Sequence, residues 1–184
     1  GVAYDPYSGA IWAAQGDGAN GKIYFTYDFG VTWHAVDTGT KKYQPTLIQA
    51  FPDKVVFGRD SGKPGADVYY RTGNEQPTTI TDIETLFEFR TNLPAGAFYP
   101  TVSESAMANA NEMYIQFRPY SSSNNPGYIY GTGDGGNTWH VLFTSNSLFN
   151  SALEVVGDYI VGSGSTSMLP ELRGCWRAKL PDWV

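Results

Sequence analysis

The chain has a single cysteine, Cys175, in 184 residues. An internal disulfide is therefore excluded, and a lone thiol most often sits buried as a small apolar side chain. Basic residues are also scarce. Twelve Lys and Arg against 18 Asp and Glu leave a net charge of −6. Phosphate backbones are bound by clustered Lys and Arg, so this balance disfavours nucleic acid as a partner. It disfavours acidic lipid surfaces for the same reason. No apolar run approaches the roughly 18 residues that a membrane-spanning helix needs, so no membrane partner is expected. Only two histidines are present, His34 and His140. They lie far apart without close additional ligands, so no metal site is expected of them. The loop around Asp17 offers one carboxylate, too few oxygen ligands for Ca²⁺. Cys175 has no evident partner for a nucleophilic dyad. The segment Gly58–Lys63 lacks phosphate-loop spacing and a following helix. No cofactor is expected. The first residue is Gly, no leader pattern follows, and no Asn-x-Ser/Thr acceptor occurs. We expect a processed chain or part of a longer polypeptide.

Turn formers are plentiful, with 21 Gly and 11 Pro, and 41% hydrophobic residues are enough for a core. The most informative feature is a repeat. Thr26-Tyr27-Asp28-Phe29-Gly30-Val31-Thr32-Trp33 returns as Thr132-Gly133-Asp134-Gly135-Gly136-Asn137-Thr138-Trp139. Both copies are followed by His and preceded by a Tyr-containing, strand-like run. Thr26 to Thr132 is an offset of 106 residues, two steps of 53. Self-similarity at such a period is the sign of a propeller or solenoid.

Each repeated letter of the motif has a local use. Asp28 and Asp134 can accept hydrogen bonds from the N–H groups of their own turn. Gly30 and Gly136 can take a positive φ without a Cβ penalty. Thr32 and Thr138 open a following strand, where β-branched residues are favoured. Trp33 and Trp139 offer large apolar surfaces, expected to pack against a neighbouring unit.

Around the repeat, period-2 runs bounded by Gly, Pro, Asn and Asp recur in a four-beat pattern, as an antiparallel meander requires. The expected fold is all-β: propeller blades of four-stranded antiparallel meanders, about 3.75 of them. The expected organisation is one domain, 1–184, or part of one, with blades near 1–38, 39–91, 92–145 and 146–184. The last blade lacks its outermost strand. Further blades are expected from the same polypeptide or another chain, because open sheets leave edges that associate. Helix signals are poor, and the best, Thr81–Leu86, is long enough for a turn or two.

Both copies of the motif resemble the Asp-box, or BNR repeat, with pattern Ser/Thr-x-Asp-x-Gly-x-Thr-Trp. The resemblance is to β-propellers of the sialidase, xyloglucanase and sortilin types. It implies that Thr26, Asp28, Gly30, Thr32, Trp33, Thr132, Asp134, Gly136, Thr138 and Trp139 are structural. In that family the box lies on the hairpin between the two outer strands of a blade, away from the usual binding face. The segment Phe117-Arg118-Pro119 faintly echoes the Phe-Arg-Ile-Pro segment of sialidases. The Ile is absent and the segment falls before the second box, so the arginine role is not carried over. The run Ala3–Trp12, with a box 14 residues after its end, is closer to xyloglucanase-type and sortilin-type blades.

In an up-and-down blade, second-to-third strand loops share a face with the connections between blades. Here those loops are long: Gln15–Gly21, Arg59–Ala66, Arg118–Gly127 and Gly162–Gly174. Long loops on a rigid scaffold are where binding groups concentrate. Tyr43, Gln44, Tyr99, Arg118 and Tyr120 are the ligand-binding candidates on that face. Small polar residues with Tyr suit a neutral glycan or a protein surface. Glycoside hydrolysis needs two carboxyl groups flanking one bond. Asp5, Glu104 and Glu154, on or near inner strands, are weak candidates for it. The expected function is a non-catalytic binding or assembly module, in an extracellular, cell-surface or virion-associated protein. The alternative is a fragment of a sialidase-like or xyloglucanase-like glycoside hydrolase.

Overall fold

A computed structural model of the chain describes residues 1–15, 21–37, 45–59, 65–73, 76–88, 101–118, 127–145, 149–164 and 174–182. Among them are fifteen strands and no helix. The first sheet holds β1 (Val2–Tyr4), β2 (Ile11–Gln15), β3 (Lys22–Thr26) and β4 (His34–Ala35). The second holds β5 (Pro45–Ala50), β6 (Lys54–Arg59), β7 (Gly65–Tyr70) and β8 (Glu84–Glu88). The third holds β9 (Thr101–Asn109), β10 (Glu112–Arg118), β11 (Gly127–Thr132) and β12 (His140–Ser145). The fourth holds β13 (Phe149–Val156), β14 (Tyr159–Gly164) and β15 (Gly174–Lys179). Within each sheet the strands are neighbours in chain order and antiparallel. These are the meanders of β-propeller blades, three of four strands and one of three.

The chain divides into two compact units, Gly1–Asn92 and Leu93–Val184. The first contains sheets one and two, the second sheets three and four.

In the first unit the alternation of β2 turns Trp12 inward. Its ring lies 5.2 Å from Phe25, 5.6 Å from Phe57 and 6.0 Å from Tyr69, centroid to centroid. Such offset and edge-on contacts suit the ring quadrupoles and fix the angle between sheets. Ile23, Val36, Ile48, Val55, Ile80 and Ile83 complete this core. Buried side chains of this size each contribute about 1.5–3 kcal/mol.

The weak helix signal at Thr81–Leu86 is not realised. Residues 81–83 are irregular and Glu84–Glu88 is strand β8. Ile80 and Ile83 are buried in the core, and the Ile80 carbonyl accepts the Asp37 N–H at 2.9 Å. An isolated helix of one or two turns is unstable in water. Burying two isoleucines and pairing β8 with β7 is the stronger choice, and it requires extended chain.

The second unit repeats the plan. Ala106, Tyr114, Ile129, Leu153 and Ile160 form its core, with Leu142, Ala178 and Leu180 packed against it. Corresponding turns close alike. The Arg71 N–H donates to the Asp53 carbonyl at 2.9 Å, and the Leu180 N–H to the Asp158 carbonyl at 2.9 Å.

Candidate functional site

The repeated turn is built from its own hydrogen bonds. In the first copy the Thr26 hydroxyl donates to Asp28 Oδ1 at 2.7 Å and accepts the Gly30 N–H at 3.1 Å. The Thr32 N–H donates to the same carboxylate oxygen at 2.8 Å. The second copy matches: Thr132 to Asp134 at 2.8 Å, Gly136 to Thr132 at 2.9 Å, Thr138 to Asp134 at 2.9 Å. It adds a bond from the Thr138 hydroxyl to Asp134 Oδ2 at 2.6 Å and one from the Asn137 N–H at 3.0 Å.

Hydrogen bonds to the charged form lower a carboxyl pKa. The Thr32 N–H first, then the Thr26 hydroxyl, bring Asp28 down to about 2. Burial pushes Asp134 up, but donors from Thr138, Thr132 and Asn137 outweigh it and bring it to about 2. Gly30 and Gly136 take φ of 90° and 81°. The preceding position is Gly135 in one copy, at φ 72°, and Phe29 in the other, at φ 57°.

The tryptophans lie against their own turns. Trp33 is 45% exposed and lies over its own turn, where a Cβ on Gly30 would meet the indole at 3.5 Å. Trp139 Nε1 donates to the Gly136 carbonyl at 3.1 Å. Each indole covers its own turn glycine because the tight turn brings the strand start back over it.

Asp5 sits at the opening of the β1–β2 turn and is fully buried. Its Oδ1 accepts the Tyr7 and Ser8 N–H groups at 3.0 and 3.4 Å. Its Oδ2 accepts the Ser8 hydroxyl at 2.6 Å and Arg71 Nε at 3.2 Å, and Arg71 Nη2 closes the ion pair. Arg71 Nη1 donates to the Phe51 carbonyl, and the guanidinium carbon lies 5.5 Å from the Tyr7 ring centroid. Both carboxylate oxygens are thus occupied, and the arginine ties sheet two to the first turn of sheet one.

Two phenols lie nearby. Burial, then Tyr69 and Asp5, push Tyr27 up to about 12 against the opposing pull of Arg71. Burial also raises Tyr69, with Arg71 opposing and Asp82 adding. Both stay neutral near pH 7.

A second buried pair stands where β6 runs into the Arg59–Ala66 loop. Arg59 Nε donates to Asp67 Oδ2 at 2.7 Å, and Nη2 reaches both Asp67 Oδ1 and the Thr85 hydroxyl, the latter at 2.8 Å. The fork matches a carboxylate geometrically. It fastens β6, β7 and β8 together at the root of that loop. At the opposite end of β6, the buried Lys54 ammonium pairs with Asp53 at 3.3 Å. It also lies 6.0 Å and 5.6 Å from the Phe51 and Tyr70 ring centroids. In the second unit Tyr114 donates to Glu112, whose other oxygen accepts Asn109 Nδ2 at 2.9 Å.

The other sequence candidates are scattered. Tyr43, Gln44, Tyr99 and Tyr120 lie outside the described residues. Arg118 ends β10 opposite Thr101, and Glu104 pairs with Gln116 in β9, but their side chains also lie outside the described set. Glu154 is exposed on β13, paired with Val161. Among the described residues no group of three or more His, Cys, Asp or Glu could hold a metal. His34 packs on Phe25 at 5.3 Å, and His140 Nε2 is 3.5 Å from the Thr138 hydroxyl.

Sequence reasoning missed both arginines. Arg71 is 66 residues from Asp5, and no local pattern links them. Arg59 and Asp67 are 8 residues apart and flank one loop. Opposite charges on the two sides of a loop between neighbouring strands are a legible signal for that pair.

No protein-family model matches the chain, and comparison with curated proteins finds no match. Solved structures do resemble it. A luciferin-regenerating enzyme aligns with TM-score 0.61 at 8% identity, over 96% of this chain and 59% of that one. The GH74 xyloglucanase from Xanthomonas campestris aligns with TM-score 0.59 at 12% identity, over 97% and 28%. The α-L-arabinanase from Penicillium chrysogenum, complexed with arabinobiose, aligns with TM-score 0.52 at 13% identity, over 96% and 60%. The chain spans less than two thirds of the length of each. At these identities the likeness establishes a shared β-propeller fold, and nothing finer.

Proposed function

We propose that this chain is a non-catalytic binding or assembly module, recognising a glycan or protein surface through the loops that follow the second strand of each blade. Its repeated turns fit the Asp-box role of blade-building hairpins, since the Asp28 and Asp134 carboxylates take their hydrogen bonds from donors of their own turns. One observation carries the reading. Among the described residues the fully buried aspartates are Asp5 and Asp67, and each is fastened to an arginine. Glycoside hydrolysis uses two carboxyl groups about 5–9.5 Å apart across one bond. The Arg59–Asp67–Thr85 clasp supports a rigid root for a binding loop, as positioning on a stiff scaffold requires. The parent is an extracellular, cell-surface or virion-associated protein under this reading.

A glycan array and a hydrolysis screen on xyloglucan, arabinan, β-glucans and sialosides test it together. Saturable binding without turnover is the expected result. Turnover that disappears in Glu104→Gln or Glu154→Gln would overturn it. The second reading, part of a glycoside hydrolase, is favoured by the resemblance to a xyloglucanase and an arabinanase. It requires hydrolysis once the remaining length of the enzyme is supplied.

A further inference from the structure

The repeated turn is one scaffold with two different surfaces. Its consensus letters match, but the positions between them do not. With the 106-residue offset, Tyr27, Phe29 and Val31 of the first copy stand where the second has Gly133, Gly135 and Asn137. Gly135 is buried, and its N–H donates to the Asn111 carbonyl at 2.8 Å. Phe29 takes the same left-handed backbone, at φ 57° against 72°, yet its side chain is 91% exposed. A Cβ in that conformation carries a cost that glycine avoids. Val31 is 85% exposed, and Trp33 stays half open to water while its other side covers Gly30. A strained, exposed phenyl group does nothing for the fold, and strain of that kind marks a functional surface.

The charge at this turn is unmatched too. Asp28 is exposed, and its hydrogen bonds come from Thr26 and Thr32. These donors are neutral, so they engage the carboxylate and leave its charge uncancelled. Among the described residues no cation pairs with Asp28. Residues 26–37 contain two aspartates and no Lys or Arg. What the turn lacks sets its occupant. A phosphate would be repelled, and an uncharged apolar group would leave the carboxylate without a counter-ion. A Lys or Arg head would seek an acceptor that Thr26 and Thr32 already occupy. A cation clothed in methyl groups needs no acceptor, supplies the missing charge, and is attracted to aromatic faces by the ring quadrupole.

We propose that the Asp28–Trp33 turn binds a trimethylammonium group, of the choline and betaine class. The methyl groups rest on the open side of the Trp33 indole and against the Phe29 ring, and Asp28 supplies the opposing charge. The second copy lacks the site. It has Gly135 and Asn137 in place of the apolar side chains, and its Trp139 is half-buried with the indole N–H tied to Gly136. The site is separate from the long loops and does not depend on what they bind.

The test is a titration of choline chloride into the full chain, followed through the indole N–H resonances by NMR. Trp33→Phe identifies the Trp33 signal among the five tryptophans. That signal should move saturably while the Trp139 signal stays in place. Potassium chloride at equal ionic strength should not move it. The neutral isostere of choline, with carbon in place of nitrogen, should bind at least about fivefold more weakly, since it lacks the charge. Phe29→Gly installs the residue of the second copy, and Asp28→Asn keeps an acceptor oxygen and removes the charge. Each should weaken choline binding about threefold or more, with the Trp12 signal unchanged as a check on the fold. A still Trp33 signal, an equal shift with potassium chloride, equal binding by the neutral isostere, or full affinity in Phe29→Gly overturns the proposal. Phosphatidylcholine vesicles separate the two sources of the group. Co-sedimentation that free choline competes away assigns it to a lipid, and choline binding without co-sedimentation assigns it to a soluble molecule.

Discussion

Removing the Asp5 carboxylate should cost more than any surface change in the first unit. The Asp5 side chain is fully buried and that of Arg71 is 10% exposed, so neither charge has water to return to. Breaking a buried pair by deleting one partner typically costs about 3–5 kcal/mol, chiefly from the charge left behind. Asp5→Ala leaves the guanidinium to the Phe51 carbonyl and the Tyr7 ring, neither of which carries a balancing charge. It also removes the acceptor for the Tyr7 and Ser8 N–H groups at the head of the turn. The upper part of that range is expected. Arg71→Met leaves Asp5 with the two N–H groups and the Ser8 hydroxyl, so the lower part is expected there. The double variant should recover about 1–3 kcal/mol relative to the sum of the singles, the usual size of coupling between contacting residues. Urea unfolding followed by tryptophan fluorescence reads this, since Trp12 reports on the same unit. The losses should hold between about 0.05 and 0.5 M salt, because buried pairs are weakly screened. A loss for Asp5→Ala below about 1 kcal/mol, or one that fades with added salt, would show that the pair behaves as a solvated surface bridge.

Four further outcomes follow from the turns, a phenol and the core. Asp28 and Asp134 have folded pKa values near 2 against an ordinary 3.8. A depressed folded value gives stability that is present above about pH 4 and lost as pH falls toward 2. Thermal unfolding should show the wild type ahead of Asp134→Asn at pH 5–7, with the gap closing between pH 4 and 2; a constant gap refutes the assignment. Tyr27, raised to about 12, works in the opposite direction. Its stabilisation is complete below about pH 10 and disappears as pH rises to 12. Ultraviolet titration should show late-ionising phenols, and Tyr27→Phe should remove one of them near pH 12. Phe29 is 91% exposed at φ 57°, where a side chain costs about 1–2 kcal/mol. Phe29→Gly should therefore be neutral or stabilising by up to about 1 kcal/mol, whereas Phe29→Val should destabilise, as calorimetry will read. Ile80→Ala leaves a hole in the core of the first unit and should cost about 2–5 kcal/mol in unfolding free energy. A cost under 1 kcal/mol would mean that Ile80 is not part of the core.

The sequence alone determined the strands, their antiparallel order, and the repeated turns. These are local matters. The hydrogen bonds that close each box span two to four residues, so the motif carries its own partners wherever it occurs. Period-2 alternation likewise marks a strand such as Ile11–Gln15 without knowledge of what covers it. The exception is Thr81–Leu86, whose extended path is chosen by the core that takes Ile80 and Ile83. What only the tertiary structure decided is how the side chains meet. It joined Asp5 to Arg71 in a buried ion pair, because Arg71 arrives from another sheet 66 residues later. It laid Trp33 over its own turn. Partners at such separations are fixed by how sheets pack, and packing leaves no mark in any short stretch of chain.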